Sequence, residues 1–305
     1  MTPAASVAAR WALPTLAALL VGPLVAWSVA GLRSVSGGAE TSLLVGESPI
    51  SGVFAMVLIA ISVILFAAAG GRVLGAKGAL NAAGIVAAWA AVRTGDMDRV
   101  YAEAGGGAIW SLLIEALLLA GIGVIALVAA SPAPAKLITE MRSLMKSQDA
   151  LVEAGATGAG ALLASYVIAF DALAGQGLMA GVLGAAVGAA VGRLLTQRKG
   201  VDPTPLAVPA VGVLAAGIVA PLIGLVMPGI GNLDAAARAG EVTGPVAVQP
   251  LGWLAGAMLG VAIGREWAGS AADIAPVDMP GKGPSREAPT PAAGVAGSNP
   301  ANGAA

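Results

Sequence analysis

The chain contains neither histidine nor cysteine. These absences exclude zinc sites with His or Cys ligands, His- or Cys-ligated haem, iron–sulfur clusters and disulfides. They also exclude every catalytic arrangement in which His activates a Ser or Cys nucleophile. The sequence also lacks a Gly-Lys-[Ser/Thr] phosphate loop and a Gly-x-Ser-x-Gly elbow. We therefore expect no cofactor and no enzymatic activity.

Charged residues are also few. Only 11% of the 305 residues are charged, against ~25% in a typical soluble domain. Hydrophobic residues make up 57% of the chain and the mean hydropathy is +0.87. A chain of this composition has more apolar surface than a soluble fold of this length can bury. The sequence therefore predicts an all-α, polytopic transmembrane helical bundle. A net charge of −1 gives no reason to expect a nucleic-acid partner.

The membrane spans follow from runs of about 20 mostly apolar residues, the length that crosses ~30 Å of hydrocarbon. One further window, 74–92, is long enough but carries Lys77 and Asn81. The seven windows that qualify without it are 11–32, 50–70, 107–130, 154–170, 177–195, 206–227 and 246–264.

The distribution of positive charge favours counting 74–92 as a span. With eight spans, twelve of the 16 Lys and Arg residues share one side, whereas seven spans divide them ten to six. Because positive residues accumulate on the cytoplasmic side, we predict eight spans with both termini cytoplasmic, in a plasma (bacterial inner) membrane. Tryptophan, which prefers the membrane boundary, then falls near span ends. The six indoles are Trp11, Trp27, Trp89, Trp110, Trp253 and Trp267.

The first span allows two interpretations. Arg10, the apolar stretch and Ser28-Val29-Ala30 resemble a cleavable signal peptide. The apolar part from Trp11 to Ala30 is longer than the ~7–15 residues of the hydrophobic region of a signal peptide, so we interpret it as an uncleaved anchor.

The spans form two groups of four, in segments 1–130 and 154–267. The segment 131–153 between them is predicted to be a cytoplasmic linker with an amphipathic helix, either resting on the membrane surface or docking a cytosolic partner. Its apolar stripe comprises Leu137, Met141, Leu144 and Leu151. Residues 268–305 are rich in Pro, Gly, Ala and Ser and are predicted to form a disordered cytoplasmic tail.

Short similarities between the halves suggest two parallel four-helix repeats. Gly95-Asp96-Met97-Asp98 precedes the fourth span, and Gly231-Asn232-Leu233-Asp234 precedes the eighth. The second and sixth spans both end in Gly-Arg. A duplication explains these features, and chance similarity is the alternative.

Glycine is abundant, with 44 residues, and it is regularly spaced in the sixth and eighth spans. Small residues let membrane helices approach closely, so we predict that these two spans pack in parallel through their glycines. A second protomer or membrane partner at one stripe is the alternative. The two stripes are Gly177, Gly181, Gly184, Gly188 and Gly192, and Gly252, Gly256, Gly260 and Gly264.

Glu115 is the one acidic residue well inside a predicted span, and Asn81 on the preceding span is its expected partner. The pair has two interpretations, a hydrogen bond that fixes helix register and a proton- or cation-binding site. Pro221 is expected to kink the seventh span.

Two functions therefore remain open. The first is a non-catalytic membrane subunit or scaffold assembled through glycine-rich helix faces. The second is a small-solute or proton-coupled transporter that uses Glu115. The abundance of glycine faces and the scarcity of intramembrane polar groups favour the first.

Overall fold

The computed structural model describes residues 3–38, 41–144, 146–198, 200–226 and 233–273, which form helices and loops without a strand. The long helices are α1 (Pro3–Leu16), α2 (Gly22–Ala30), α3 (Pro49–Val73), α4 (Gly75–Ala91), α6 (Ala108–Ala129), α8 (Gln148–Ile168), α9 (Ala174–Gln197), α10 (Ala207–Val226) and α13 (Val261–Asp273). The shorter ones are α5 (Met97–Ala104), α7 (Pro134–Leu144), α11 (Leu233–Ala239) and α12 (Pro250–Ala255). π-helical turns join α1 to α2 at Ala17–Val21 and α12 to α13 at Gly256–Gly260.

Six of these helical segments are long and apolar enough to cross a membrane. Their outer faces carry exposed large hydrophobic side chains, such as Phe54 on α3 and Val167 on α8, which suits contact with lipid. The chain is therefore a multi-pass membrane protein. The six segments are Arg10–Ala30, Pro49–Val73, Ala108–Ala129, Gln148–Ile168, Ala174–Gln197 and Ala207–Val226.

The other two predicted spans are α4 and the continuous segment α12–α13, which pack antiparallel in the centre of the bundle. Lys77 in the first turn of α4 forms an ion pair with Glu266 of α13. At the opposite end, Thr94 after α4 donates a hydrogen bond to Gln249 before α12, with 2.6 Å between the oxygens. In each segment the two contact residues are 17 positions apart, roughly 25 Å of helix.

Protein surrounds most of these two helices. From Ala79 to Ala91 most of α4 is buried, and nearly all of α12 and the following π-helical turn is buried as well. A helix surrounded by protein gains from close packing, which Ala and Gly allow, whereas a lipid-facing helix gains from Leu and Ile.

One end of the bundle, which we call the α5 end, carries the short helices α5 and α11 in contact with each other. Each ends at a glycine with positive φ, +63° at Gly105 and +69° at Gly240, where a side chain would be strained. Each also begins at a buried apolar residue, Met97 or Leu233. Gly231 and Asn232 of the second repeat motif lie outside the described residues, and the duplication stays a prediction.

Several predicted boundaries require correction. The helix of the fifth span begins at Gln148, not at residue 154, so Leu151 belongs to α8 and only Leu137, Met141 and Leu144 of the apolar stripe lie in α7. Residues 268–273 continue α13 and are not part of a tail, and 274–305 lie outside the described residues.

Two local features also differ from expectation. Trp253 is buried in the protein interior, 2% exposed, not at the boundary with lipid, because Gly217 leaves space for its ring on α10. Helix α10 continues through Pro221, and its bend remains a prediction.

Candidate functional site

The carboxylate of Glu115 on α6 is fully buried. Ser42 Oγ donates to it at 2.7 Å, and the backbone N–H of Leu44 donates to Oε2 at 3.0 Å. Both donors come from the loop between α2 and α3. Glu115 thus fixes that loop inside the bundle, about two helical turns from the start of α6.

The loop reaches this depth because its neighbours leave room for it. Thr41, Ser42 and Leu43 are buried, and a side chain at Gly52 of α3 would overlap the carbonyl of Leu43. The backbone N–H of Gly95 donates to Thr41 O at 2.8 Å. No sequence pattern indicated this buried segment.

A small polar cavity lies beside the loop. Its volume is about 100 Å³, and Arg33, Ser42, Glu47 and Ser51 are among its lining residues. This volume suits a few water molecules, which polar walls can hold. Ser42 therefore separates Glu115 from a cavity that can be hydrated.

The predicted hydrogen bond between Asn81 and Glu115 is not formed. The carboxylate is bonded to the loop instead, and the side-chain oxygen of Asn81 on α4 is buried without a partner among the described residues. The sequence placed both residues inside helices, as the structure does, but it did not indicate that the loop between α2 and α3 bonds Glu115.

A second buried carboxylate, Glu153 of α8, forms an ion pair with Arg265 of α13 at 2.6 Å. Thr204, before α10, bridges the two. Its Oγ1 donates to Glu153 Oε2 at 2.8 Å, and it accepts from Arg265 Nη2 at 2.7 Å. A Cβ at Gly192 of α9 would lie 2.8 Å from the carbonyl of Glu153. This network joins α8 to α13 at what we call the α7 end.

Sequence reasoning placed Glu153 in the linker and so missed this network. A signal was present, because Glu153 directly precedes the fifth apolar window and Arg265 directly follows the eighth. Both windows meet the same side in the eight-span topology, so opposite charges at their edges indicate a possible pair.

The glycine stripes are used within the chain. Gly252, Gly256, Gly260 and Gly264 all lie against backbone atoms of α9. The stripe on α9 divides, since Gly177 and Gly181 face the segment Ala247–Gly252 whereas Gly184, Gly188 and Gly192 face α8. The first half of this arrangement is the parallel packing that the sequence predicts, and the contact with α8 was not anticipated. None of the nine glycines offers an open face to a second protomer.

Polar contacts also hold the α5 end together. Asp96 Oδ1 accepts from the backbone N–H of Ala174 at 2.8 Å, and Asp98 Oδ1 accepts from Val242 N–H at 3.2 Å. Partial burial raises the pKa of Asp98, the hydrogen bond from Val242 lowers it, and the nearby Asp171 and Asp96 raise it further, leaving it above its ordinary value.

The described residues contain no group of three or more acidic side chains placed to hold a metal ion. Comparison of the chain with protein-family models, with curated proteins and with solved structures gives no match.

Proposed function

We propose that the chain crosses a bacterial plasma membrane eight times, with both termini in the cytoplasm. The support is the central pair of helices. Both α4 and α12–α13 extend between the contact of Thr94 with Gln249 and the ion pair of Lys77 with Glu266. These two helices extend between the same two ends of the bundle as the six apolar helical segments. Together they make eight crossings, an even number.

We further propose that the protein is a non-catalytic membrane subunit or scaffold. The observation that carries this proposal is the backbone contact of α9 with α8 and with α12–α13. At Gly188 and Gly260 even a methyl group would overlap a neighbouring carbonyl. Helices packed this closely leave no layer of side chains to rearrange, which suits a rigid structural part better than a pair of rocking repeats.

The test is native mass spectrometry of the chain extracted from its own membrane in a mild detergent, together with flux assays of the purified chain in proteoliposomes. A subunit is expected as an assembly heavier than one chain, with no proton or solute flux of its own. A chain that is solely monomeric in the extract contradicts the proposal, and so does flux that exceeds that of empty liposomes.

Transport coupled to Glu115 is the second candidate, and the polar cavity at Ser42 favours it. Among the described residues, the hydrogen-bond donors to this carboxylate are neutral, and one hydroxyl separates it from a polar cavity that can hold water. The carboxylate can therefore exchange a proton if Ser42 turns away. Glu115→Gln keeps an acceptor for Ser42 and Leu44 but cannot ionise. If the second candidate is correct, the parent acidifies liposomes and Glu115→Gln does not, while the conservative Glu47→Gln at the cavity rim retains flux.

A further inference from the structure

The surface at the α7 end contains an apolar groove that neither proposed function uses. The groove has a volume of about 540 Å³ and lies between three helices, a size typical of small-molecule sites. Val124 and Leu127 of α6, Ile138 and Met141 of α7, and Val211 of α10 are among its lining residues.

Two cations, Arg142 and Lys146, are the charged members of this lining. Both are exposed, and within the described part of the chain neither side chain forms a hydrogen bond or ion pair. Lys136, which is not part of the lining, is by contrast paired with Glu140 at 3.5 Å. The groove therefore combines apolar walls with two available positive charges at one edge.

The position of α7 relates this chemistry to the bilayer. Helix α7 follows α6 directly after Ser131 and Pro132, where the membrane helix ends. Its half-buried residues Leu137 and Met141 pack towards the core. With α6 crossing the bilayer as proposed above, the groove beneath α7 opens at the depth where lipid acyl chains meet their head groups. A guanidinium and an ammonium at that depth match a phosphate.

We propose that this groove binds one phospholipid with an anionic head group. One acyl chain lies against Val124, Ile138 and Val211, and Arg142 and Lys146 bind the head-group phosphate. Charge complementarity selects this occupant over a neutral lipid, because each basic residue near a membrane surface adds to the attraction for anionic lipid.

The test uses the full-length chain, delipidated in a neutral detergent, with phosphatidylglycerol or phosphatidylcholine added at equal concentration. Native mass spectrometry and thermal unfolding report binding. We expect a one-to-one adduct and an increased melting temperature with phosphatidylglycerol, at roughly tenfold or higher apparent affinity than with phosphatidylcholine. Equal binding of the two lipids, or binding of neither, overturns the proposal without any variant.

Variants locate the site. R142Q/K146Q is expected to abolish the preference for phosphatidylglycerol, whereas the matched charge change R72Q/R198Q, at exposed cations outside the groove, retains it. Retention of the preference by R142Q/K146Q, or its loss in R72Q/R198Q, overturns the assignment.

Two further arms separate lipid from other sources of charge or apolar contact. Inorganic phosphate alone is expected to give no stabilisation, and Ile138→Trp, which fills the groove, is expected to weaken the lipid adduct while leaving the unfolding of the lipid-free chain similar. Equal protection by inorganic phosphate would indicate a simple anion site, and an unaffected adduct in Ile138→Trp would place the lipid elsewhere.

Discussion

Two acidic residues, Glu115 and Glu153, are fully buried yet have different partners. Neutral donors of a loop hold Glu115, whereas Arg265 and Thr204 hold Glu153. Removing one member of a buried ion pair leaves an uncompensated charge, which is a much larger loss than breaking a solvated pair. The Glu153 network is therefore the place where single substitutions should affect stability most.

We expect Glu153→Gln and Arg265→Gln each to lower the free energy of unfolding by about 3–5 kcal/mol. The double variant should lose clearly less than the sum, because neither charge is then left alone. Chemical or thermal unfolding in detergent measures this double-mutant cycle. The half-exposed pair of Lys77 and Glu266 is the matched control, with a coupling of about 1 kcal/mol or less. Additive losses at Glu153 and Arg265 would refute a coupled pair.

Asp98 gives a prediction for pH. Its pKa is raised in the folded chain above the ordinary value of 3.8, chiefly by burial. The folded state therefore binds the proton more tightly than the unfolded state, so this stabilisation is present below the ordinary pKa and is lost as the pH rises through the raised one. Asp98→Asn should be more stable than the parent at pH 7, and the advantage should shrink below about pH 4.

The measurement for Asp98 is the melting temperature of parent and variant across this pH range. Glu241→Gln, an exposed carboxylate at the same end of the bundle, serves as the control. A constant difference between Asp98→Asn and the parent at all pH values would show that titration of Asp98 does not contribute.

At the scale of helices, glycine determines which pairs can approach. A Cβ at Gly188 would lie 2.8 Å from the backbone N of Ala161 and still closer to the carbonyl of Thr157. At Gly121 on α6, a Cβ would meet no atom within 4 Å apart from the neighbouring backbone of its own helix. Close helix packing therefore requires glycine at position 188 but not at position 121.

Gly188→Ala should lower the melting temperature markedly, and Gly188→Leu should prevent accumulation of folded protein, because the clash is with backbone that cannot rotate away. Gly121→Ala should be neutral or stabilising by up to about 1 kcal/mol, since Ala favours helix over Gly. Fluorescence-detected size-exclusion chromatography after heating compares all three variants. Equal stability of Gly188→Ala and Gly121→Ala would disprove the packing role.

At the scale of the whole molecule, the topology depends on whether α4 crosses the membrane. The hydrogen bond between Gly95 and Thr41 brings the end of α4 back to the loop that precedes α3. In the eight-span topology, this loop and α5 share one side of the membrane and α7 lies on the other. A seven-span chain would separate the loop from α5.

Labelling of introduced cysteines tests this arrangement without background, because the native chain has none. An impermeant maleimide added to intact cells should label Ser36→Cys and Glu103→Cys but not Ser143→Cys until the cells are opened. Labelling of Ser36→Cys without Glu103→Cys in intact cells would instead support seven spans, and the repeat hypothesis would fail with it.

The sequence alone determined that this is a multi-pass membrane protein and roughly where its long apolar helices lie. Each predicted window became a helix because an apolar chain in lipid must satisfy its backbone hydrogen bonds within each segment. It also indicated the packing of Gly252 to Gly264 against α9, since regularly spaced glycines leave one smooth face.

Only the tertiary structure decided the partners of the buried polar groups. Glu115 binds Ser42 and not Asn81, and Glu153 binds Arg265. These contacts join residues 73 and 112 positions apart in the chain. The local sequence pattern indicates how far along a helix a residue lies and on which face. It does not determine which neighbouring helix or inserted loop contacts that face. For the same reason, the sequence did not indicate that the glycine stripe on α9 contacts two different helices.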